Sequence, residues 1–287
     1  MSIEAPVETR QAGIAPPVTI DLPSAAHGSV SRARSSRTLH RVLRTAGPIA
    51  LLGLWQLICS VGLVDAGLLP SPWRVADTIR ELTTDGTLLP AIGVSLRRAG
   101  VGLLFGAAIG ITLGLVAGLS RIGEEALDSS LQMLRTIPFI ALVPLFVVWF
   151  GIGEEAKYAL ITAACIFPAY LNTYAGVRGV DPKLIEAARV FKVSGLALAR
   201  EVILPLAMPG ILVGIRFSMG VSVLALVAAE QINTQSGIGV LVLDLNGTLR
   251  TDIIISGVVV YAFLGIVVDL VVRNLERLLL RWKASIV

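Results

Sequence analysis

The chain has 287 residues, 55% of them hydrophobic and only 15% charged, and its mean hydropathy is +0.81; that excludes an ordinary soluble domain and points to a polytopic membrane protein. A net charge of +4 and a pI near 9.4 do not make it a nucleic-acid binder, because the basic residues collect at the ends of apolar runs, where they act as a topology signal. Cys59 and Cys165 both fall inside apolar runs, so they read as packing residues, and no disulfide framework or metal site is expected.

Residues 1–45 are rich in Ser, Pro, Ala and Arg and form a largely disordered basic tail, with Arg32, Arg34, Arg37, Arg41 and Arg44 converging on the first apolar run. No apolar region lies near the start as a secretory signal requires, so the tail is expected to stay in the cytoplasm. Its arginines serve as a positive-inside anchor, with contact to anionic membrane lipid as the alternative. Residues 46–287 are the membrane domain, read as all-α with about six transmembrane helices. Gly47 to Val64 is the first span, just long enough for the hydrocarbon layer. Pro70 and Pro72 then force an extended turn, and Val75 to Leu82 form a short amphipathic helix with Trp73 suited to an interface.

The second span, Ser95 to Leu119, carries Gly102, Gly106, Gly110, Gly114 and Gly118 at strict four-residue spacing. Glycines along one helical stripe let another helix approach closely, which is how helices associate in lipid. A substrate groove is the weaker reading, since glycine offers a ligand only its backbone. A short turn, Ser120 to Asp128, leads to the third span, Leu131 to Phe150, where Pro138 and Pro144 permit bending and suit a gating helix. The fourth span runs from Tyr158 to Val177 and contains Pro168.

The loop 179–208 is charged between two apolar spans. Asp181 is an N-cap and Pro182 fits the first helical position. Leu184, Ala187, Ala188 and Phe191 form an apolar stripe expected to pack on protein, with Glu186 opposite and Lys183 and Arg189 flanking it. Gly195, Pro205 and Pro209 bracket a short bent element, and the prolines block a continuous helix into the next span. The fifth span, Pro209 to Ala229, holds Arg216 and ends at Glu230; ionisable residues at membrane depth are candidates for a translocation path or gate, although Glu230 also fits a simple membrane edge. The segment after it is polar with an apolar run that can dip back into the bundle. In the last span, Ile253 to Val272, Asp269 and Arg273 are expected to pair along the helix surface, as are Glu276 and Arg277. Basic residues concentrate on one side of this topology, which puts both termini and the Glu186 loop in the cytoplasm.

At this loop the chain resembles the permease subunits of bacterial ABC importers, whose loop carries Glu-Ala-Ala and, 19 residues after the Glu, the proline of a Leu-Pro pair; here these are Glu186, Ala187, Ala188, Leu204 and Pro205. One departure is Lys192 where the family usually has glycine, with Gly195 three residues later, so the turn is expected to differ. The outer stretch LLPSPWRVADTIRELTTDG resembles the branch importing sulfonates, taurine, nitrate and related small anions. The resemblance implies a non-catalytic permease subunit in the bacterial inner membrane. It pairs with a second copy of itself, two ATP-binding subunits and an extracytoplasmic substrate-binding protein, and ATP and Mg are held by the partner ATPase. The helix bearing Glu186 docks into a cleft on that ATPase, whose closure tilts the joined spans. The implied substrate is an aliphatic sulfonate or taurine, with nitrate, bicarbonate or an aromatic acid as alternatives.

The absences agree with a subunit powered from outside. No GxxxxGK[ST] phosphate loop occurs, both histidines (His27, His40) lie in the tail, and no G-x-S-x-G elbow is present. An ion-gradient-driven secondary transporter is the rival from another class; it predicts inverted repeats and central charges, of which the chain has little.

Overall fold

A computed structural model describes residues 32–65, 67–134, 136–232, 235–243 and 250–279. The tail 1–31 with His27, and Arg281 and Lys283 at the other terminus, lie outside the described residues, as do the side chains of Arg273, Glu276 and Arg277. The chain divides into two compact units, 1–51 and 52–287. In the first, residues from Arg32 onward belong to helix α1 (Arg32–Ser60), so the last part of the tail is helical, as its Arg, Leu and Thr residues free of Gly and Pro permit. The apolar portion of α1, Ala46–Ser60, is shorter than the expected span. It ends in a glycine cap: Gly62 takes φ +72, the Leu63 N–H donates to the Ile58 carbonyl and the Gly62 N–H to that of Cys59.

Among the described residues, four helices are long and apolar enough to cross a membrane: Leu88–Leu119, Glu154–Arg178, Gly195–Ala229 and Thr251–Val271. The fold is therefore an all-α polytopic membrane fold, and the first and third expected spans correspond to the shorter apolar helices Ala46–Ser60 and Phe139–Phe150. In chain order the remaining helices are α2 (Pro72–Thr84), α3 (Leu88–Leu119), α4 (Arg121–Leu134), α5 (Val143–Phe150), α6 (Glu154–Arg178), α7 (Pro182–Val190), α8 (Gly195–Leu198), α9 (Leu204–Ala229), α10 (Gly239–Leu243) and α11 (Thr251–Leu279).

Helices α3 and α6 lie against each other through two matched stripes. A Cβ built on Gly102, Gly106, Gly110, Gly114 or Gly118 would come within 2.5–2.7 Å of the Cβ of Ile161, Cys165, Ala169, Thr173 or Val177 respectively. Both stripes repeat every four residues, so the backbones close on each other from Gly102 to Gly118. On its other side α6 meets α9 with the same economy, Gly210 lying against Gly176. Leu160, Ile161, Cys165, Ala225, Leu226 and Ala229 are sealed in the resulting core. Helix α11 packs on α9, α10 and α2.

Three sequence expectations are corrected. The segment from Ser120 to Asp128 is not a turn, because Arg121–Leu134 is helical, with Glu124 in its first turn. The third span is broken rather than bent: Pro138 caps a 3-10 turn (Phe139–Leu142) and Pro144 sits in the first turn of α5, the one helical site where a missing N–H costs nothing. Conversely, Pro205 and Pro209 do not block a helix. Helix α8 passes into a π turn, Ala199–Ile203, and then into α9 without interruption, with Pro205 at its start and Pro209 inside it. The wider turn, in which the Leu204 N–H donates to the Ala199 carbonyl, accommodates a proline that cannot join the ordinary ladder.

Candidate functional site

Two clusters of polar residues stand out, one at each end of the bundle. At the first, α7 begins as its sequence dictates: the Asp181 Oδ1 accepts the Lys183 N–H at 2.9 Å, and Pro182 fills the first turn. Its far end is closed by the hydrogen-bond pair of a glycine cap, Val193 N–H to the Ala188 carbonyl at 3.1 Å and Lys192 N–H to that of Arg189 at 2.9 Å. Lys192 occupies the left-handed position with φ +61, the only non-glycine among the described residues to do so. The turn thus keeps the shape a glycine would give it, which corrects the expectation of a different turn; the hydrogen bonds hold a lysine in a conformation that costs it about 1 kcal/mol.

The face of α7 that meets the protein is not the predicted one. Ile185 and Ala188 are half-buried, whereas Leu184, Glu186, Ala187, Arg189, Val190 and Phe191 are exposed, with Val190 at 80% and Phe191 at 81%. The stripe of Leu184, Ala187 and Phe191 is turned outward because the inward face of this short helix needs only Ile185 and Ala188. The result is an acid, Glu186, flanked by apolar side chains on an open surface, with Lys183 and Arg189 beside it. Past the turn, Gly195 starts α8 with φ +59 and Leu196 is again exposed. Nearby, Glu124 of α4 accepts the Tyr174 hydroxyl at 2.5 Å and pairs with Arg178, the last residue of α6, so the base of the loop is tied to α4.

At the opposite end, Arg98 of α3 and Glu230 at the end of α9 are both fully buried. The guanidinium places each of its five donors: Nε and Nη2 on Glu154 at 2.8 and 2.5 Å, Nη1 on Glu230 at 2.6 Å, and Nη1 and Nη2 on the Ser236 carbonyl and hydroxyl at 2.7 and 2.9 Å. Glu230 is equally saturated. Its Oε1 accepts from Arg98 and, at 2.6 Å, from Ser95; its Oε2 accepts the Gly239 N–H at 2.7 Å and the Tyr261 hydroxyl. Lys157, itself buried, reaches Glu154 at 3.3 Å. Two cations and two carboxylates close on one another, joining α3, α6, α9 and α11 to the segment 235–243 that dips back into the bundle. Gly237 has φ +97 and would carry a Cβ 2.5 Å from Arg98 Nη1, so no side chain fits there, and Ile238 beyond it is fully buried.

Two further ionic groups flank this frame. Asp252 at the start of α11 accepts Thr78 at 3.0 Å, Arg250 at 2.7 Å and Arg74 at 3.2 Å, fastening α2 to α11; the carboxylate in turn holds the Arg250 guanidinium further above its usual range. Arg216 of α9 faces Asp269 of α11 at 3.8 Å, since α11 packs beside α9 and brings the two together; the side chain of Arg273, with which Asp269 is expected to pair along its own helix, lies outside the described residues. Sequence reasoning missed Arg98, Glu154, Lys157, Ser95 and Tyr261 as a set.

The comparisons with known proteins agree with this architecture. Residues 110–281 match the family described as binding-protein-dependent transport system inner membrane component. The chain is 42% identical over 238 residues to the aliphatic sulfonates transport permease protein SsuC of Bacillus subtilis (strain 168), covering 83% of this chain and 86% of that one. It is 33% identical over 252 residues to the taurine transport system permease protein TauC of Escherichia coli (strain K12), covering 86% and 92%. In fold it is similar to a solved amino acid ABC transporter, with a TM-score of 0.59 at 16% identity over 69% of this chain and 96% of that one. The chain belongs to the binding-protein-dependent transport system inner membrane component family, the permease subunits of ABC transporters.

Proposed function

We propose that this permease imports an aliphatic sulfonate, with α7 as the element through which ATP hydrolysis in a partner subunit moves the bundle. Family membership makes the chain a non-catalytic subunit that works with ATP-binding subunits and a substrate-binding protein. The observation that carries the coupling role is the open surface of α7, where Glu186 stands among the exposed Leu184, Val190 and Phe191. An acid set in exposed apolar side chains at a helix between spans is a surface that a partner covers. Ala187, Ala188, Lys183, Arg189, Gly195 and Pro205 complete the coupling loop, and ATP and Mg bind on the partner.

The assembled transporter contains two such ATPases and a second copy of this chain, sits in the inner membrane with both termini and α7 in the cytoplasm, and its basic tail serves as a positive-inside anchor, with contact to anionic membrane lipid as the alternative. The break at Pro138 and Pro144 supplies a hinge between α4 and α5, Arg216 lies on the path, and the Arg98–Glu230 cluster is part of the outer closure. The sulfonate assignment follows the relative at 42% identity rather than the taurine protein at 33%. Nitrate, bicarbonate and aromatic acids are the substrates to exclude, and an ion-gradient carrier falls with the family assignment. The test is uptake and ATPase activity of the reconstituted transporter carrying Glu186→Arg. Both sulfonate uptake and stimulation of ATP hydrolysis by the loaded binding protein are expected to collapse, and wild-type values for both would overturn the coupling role.

A further inference from the structure

A groove of about 690 Å³ runs between α9 and α11, walled by Phe217, Val221, Leu224 and Val258 and bounded at one end by Arg216 and Asp269. Two glycines line it, Gly220 and Gly265, and each differs from the stripe Gly102 to Gly118 of α3: a Cβ on either would meet nothing within 4 Å. The stripe glycines are small because α6 lies on them. Gly220 and Gly265 have no such neighbour among the described residues, and their effect is to widen the groove. At its ionic end, Arg216 and Asp269 form an ion pair, 42% and 44% exposed and 3.8 Å apart. At the other end the groove reaches Tyr261, whose hydroxyl is held by Glu230.

Resting on the importer reading above, we infer that this groove binds an alkyl sulfonate within the permease, the alkyl chain along the apolar walls and the sulfonate on Arg216, with Asp269 as the resident counter-ion that it displaces. The volume falls in the range of small-molecule sites, which combine apolar walls with few polar groups. A sulfonate presents three acceptor oxygens to a guanidinium that is charged at every working pH. Asp269 opposes the charge of Arg216 and sets a competition that only an anion can win. The same arrangement refuses an alkylammonium ion, which Arg216 repels, and gives little hold to an anion without a chain.

The test is binding to the permease–ATPase complex in lipid nanodiscs without nucleotide or binding protein, using radiolabelled butanesulfonate with methanesulfonate and butylammonium as competitors. Saturable binding is expected, tighter by about fourfold for each CH₂ from methane- to butanesulfonate. Arg216→Gln abolishes it, Arg216→Lys retains part of it, and Asp269→Asn tightens it. Gly220→Leu and Gly265→Leu each remove the chain-length dependence while the complex still assembles and melts as wild type. Absence of saturable binding, equal competition by butylammonium, or unchanged binding in both leucine variants would overturn the proposal. So would disulfide cross-linking of Gly220→Cys to a second copy, because the groove would then be a subunit interface. If the wild-type transporter imports sulfonates and the groove does not bind them, only this inference fails and the importer reading stands.

Discussion

Arg98 and Glu230 meet at 2.6 Å with neither side chain exposed to solvent. Their 132-residue separation in sequence makes this contact the tie between the start of α3 and the end of α9. Burying such a pair is expensive, and the structure offsets the expense by filling every donor of one and every acceptor position of the other. Removing one partner is therefore worse than removing both. Arg98→Met or Glu230→Met alone is expected to destabilise the protein by about 3–5 kcal/mol, read as a lowered melting temperature of the purified permease, and the double Met variant should recover most of the loss. Arg98→Lys should not rescue, because an ammonium cannot span both oxygens of Glu154 and also reach Glu230.

The α3–α6 seam makes a second expectation. A methyl group on Gly110 would stand 2.7 Å from the Ala169 Cβ, and overpacking of this kind costs about 1–3 kcal/mol. Gly110→Ala should lower the melting temperature, and Gly110→Leu should abolish assembly. Gly100 lies on the same helix with open space around it, so Gly100→Ala should melt as wild type or slightly higher, since alanine favours the helix.

Lys192 gives an expectation of opposite sign. With φ +61, Lys192→Gly relieves a left-handed residue and should stabilise the turn by about 1 kcal/mol, while Lys192→Val, β-branched, should destabilise it. Thermal unfolding of the two variants measures both. If Lys192→Gly also leaves transport intact, the lysine's charge is irrelevant to coupling; a loss of transport at raised stability would assign the ammonium a role at the partner surface.

Phe191 tests the partner surface without touching the fold. It is 81% exposed, so Phe191→Ala removes almost no internal packing and should leave the melting temperature of the isolated permease unchanged. Truncating an aromatic anchor at an interface costs about 2 kcal/mol, roughly thirtyfold in affinity. Quantitative co-purification with the ATPase measures the difference, and an unchanged affinity would remove Phe191 from the interface.

At the α2–α11 junction, burial decides the ranking. Asp252 has an 11% exposed side chain and three partners, whereas Arg74 and Glu81 are about half exposed and 3.9 Å apart. Exposed pairs are worth about 0–1 kcal/mol. Glu81→Gln should scarcely alter the melting temperature; Asp252→Asn, which strands Arg250 and weakens the bond from Thr78, should lower it clearly.

The sequence made the long spans legible because length and hydropathy alone define them, and the start of α7 was legible because Asp181 and Pro182 carry local chemistry. What it concealed depends on neighbours distant in the chain. The outward face of α7 was misread because four apolar residues at helical spacing mark a stripe without saying what lies opposite it. The π turn before Pro205 was hidden because proline was read only as a helix breaker. The buried cluster left one signal unused: Arg98 stands four residues before Gly102, in register with the glycine stripe, and a cation on the face that meets another helix needs a carboxylate there. Glu154 and Glu230 were the carboxylates near that end, but only the return of 235–243 into the bundle shows why both are required.

The interlocked stripes of α3 and α6 also limit how the protein can move. Each glycine of the stripe Gly102 to Gly118 seats one side chain of α6, from Ile161 to Val177, and these seats recur every four residues, so a small sliding step puts every side chain onto a ridge at once. The next allowed position lies four residues away, about 6 Å, and would tear Arg98 from Glu154. The pair must therefore travel as one piece through any working cycle, and hinging is confined to the joints around it: the break before α5, the α7 turns and the π turn before α9.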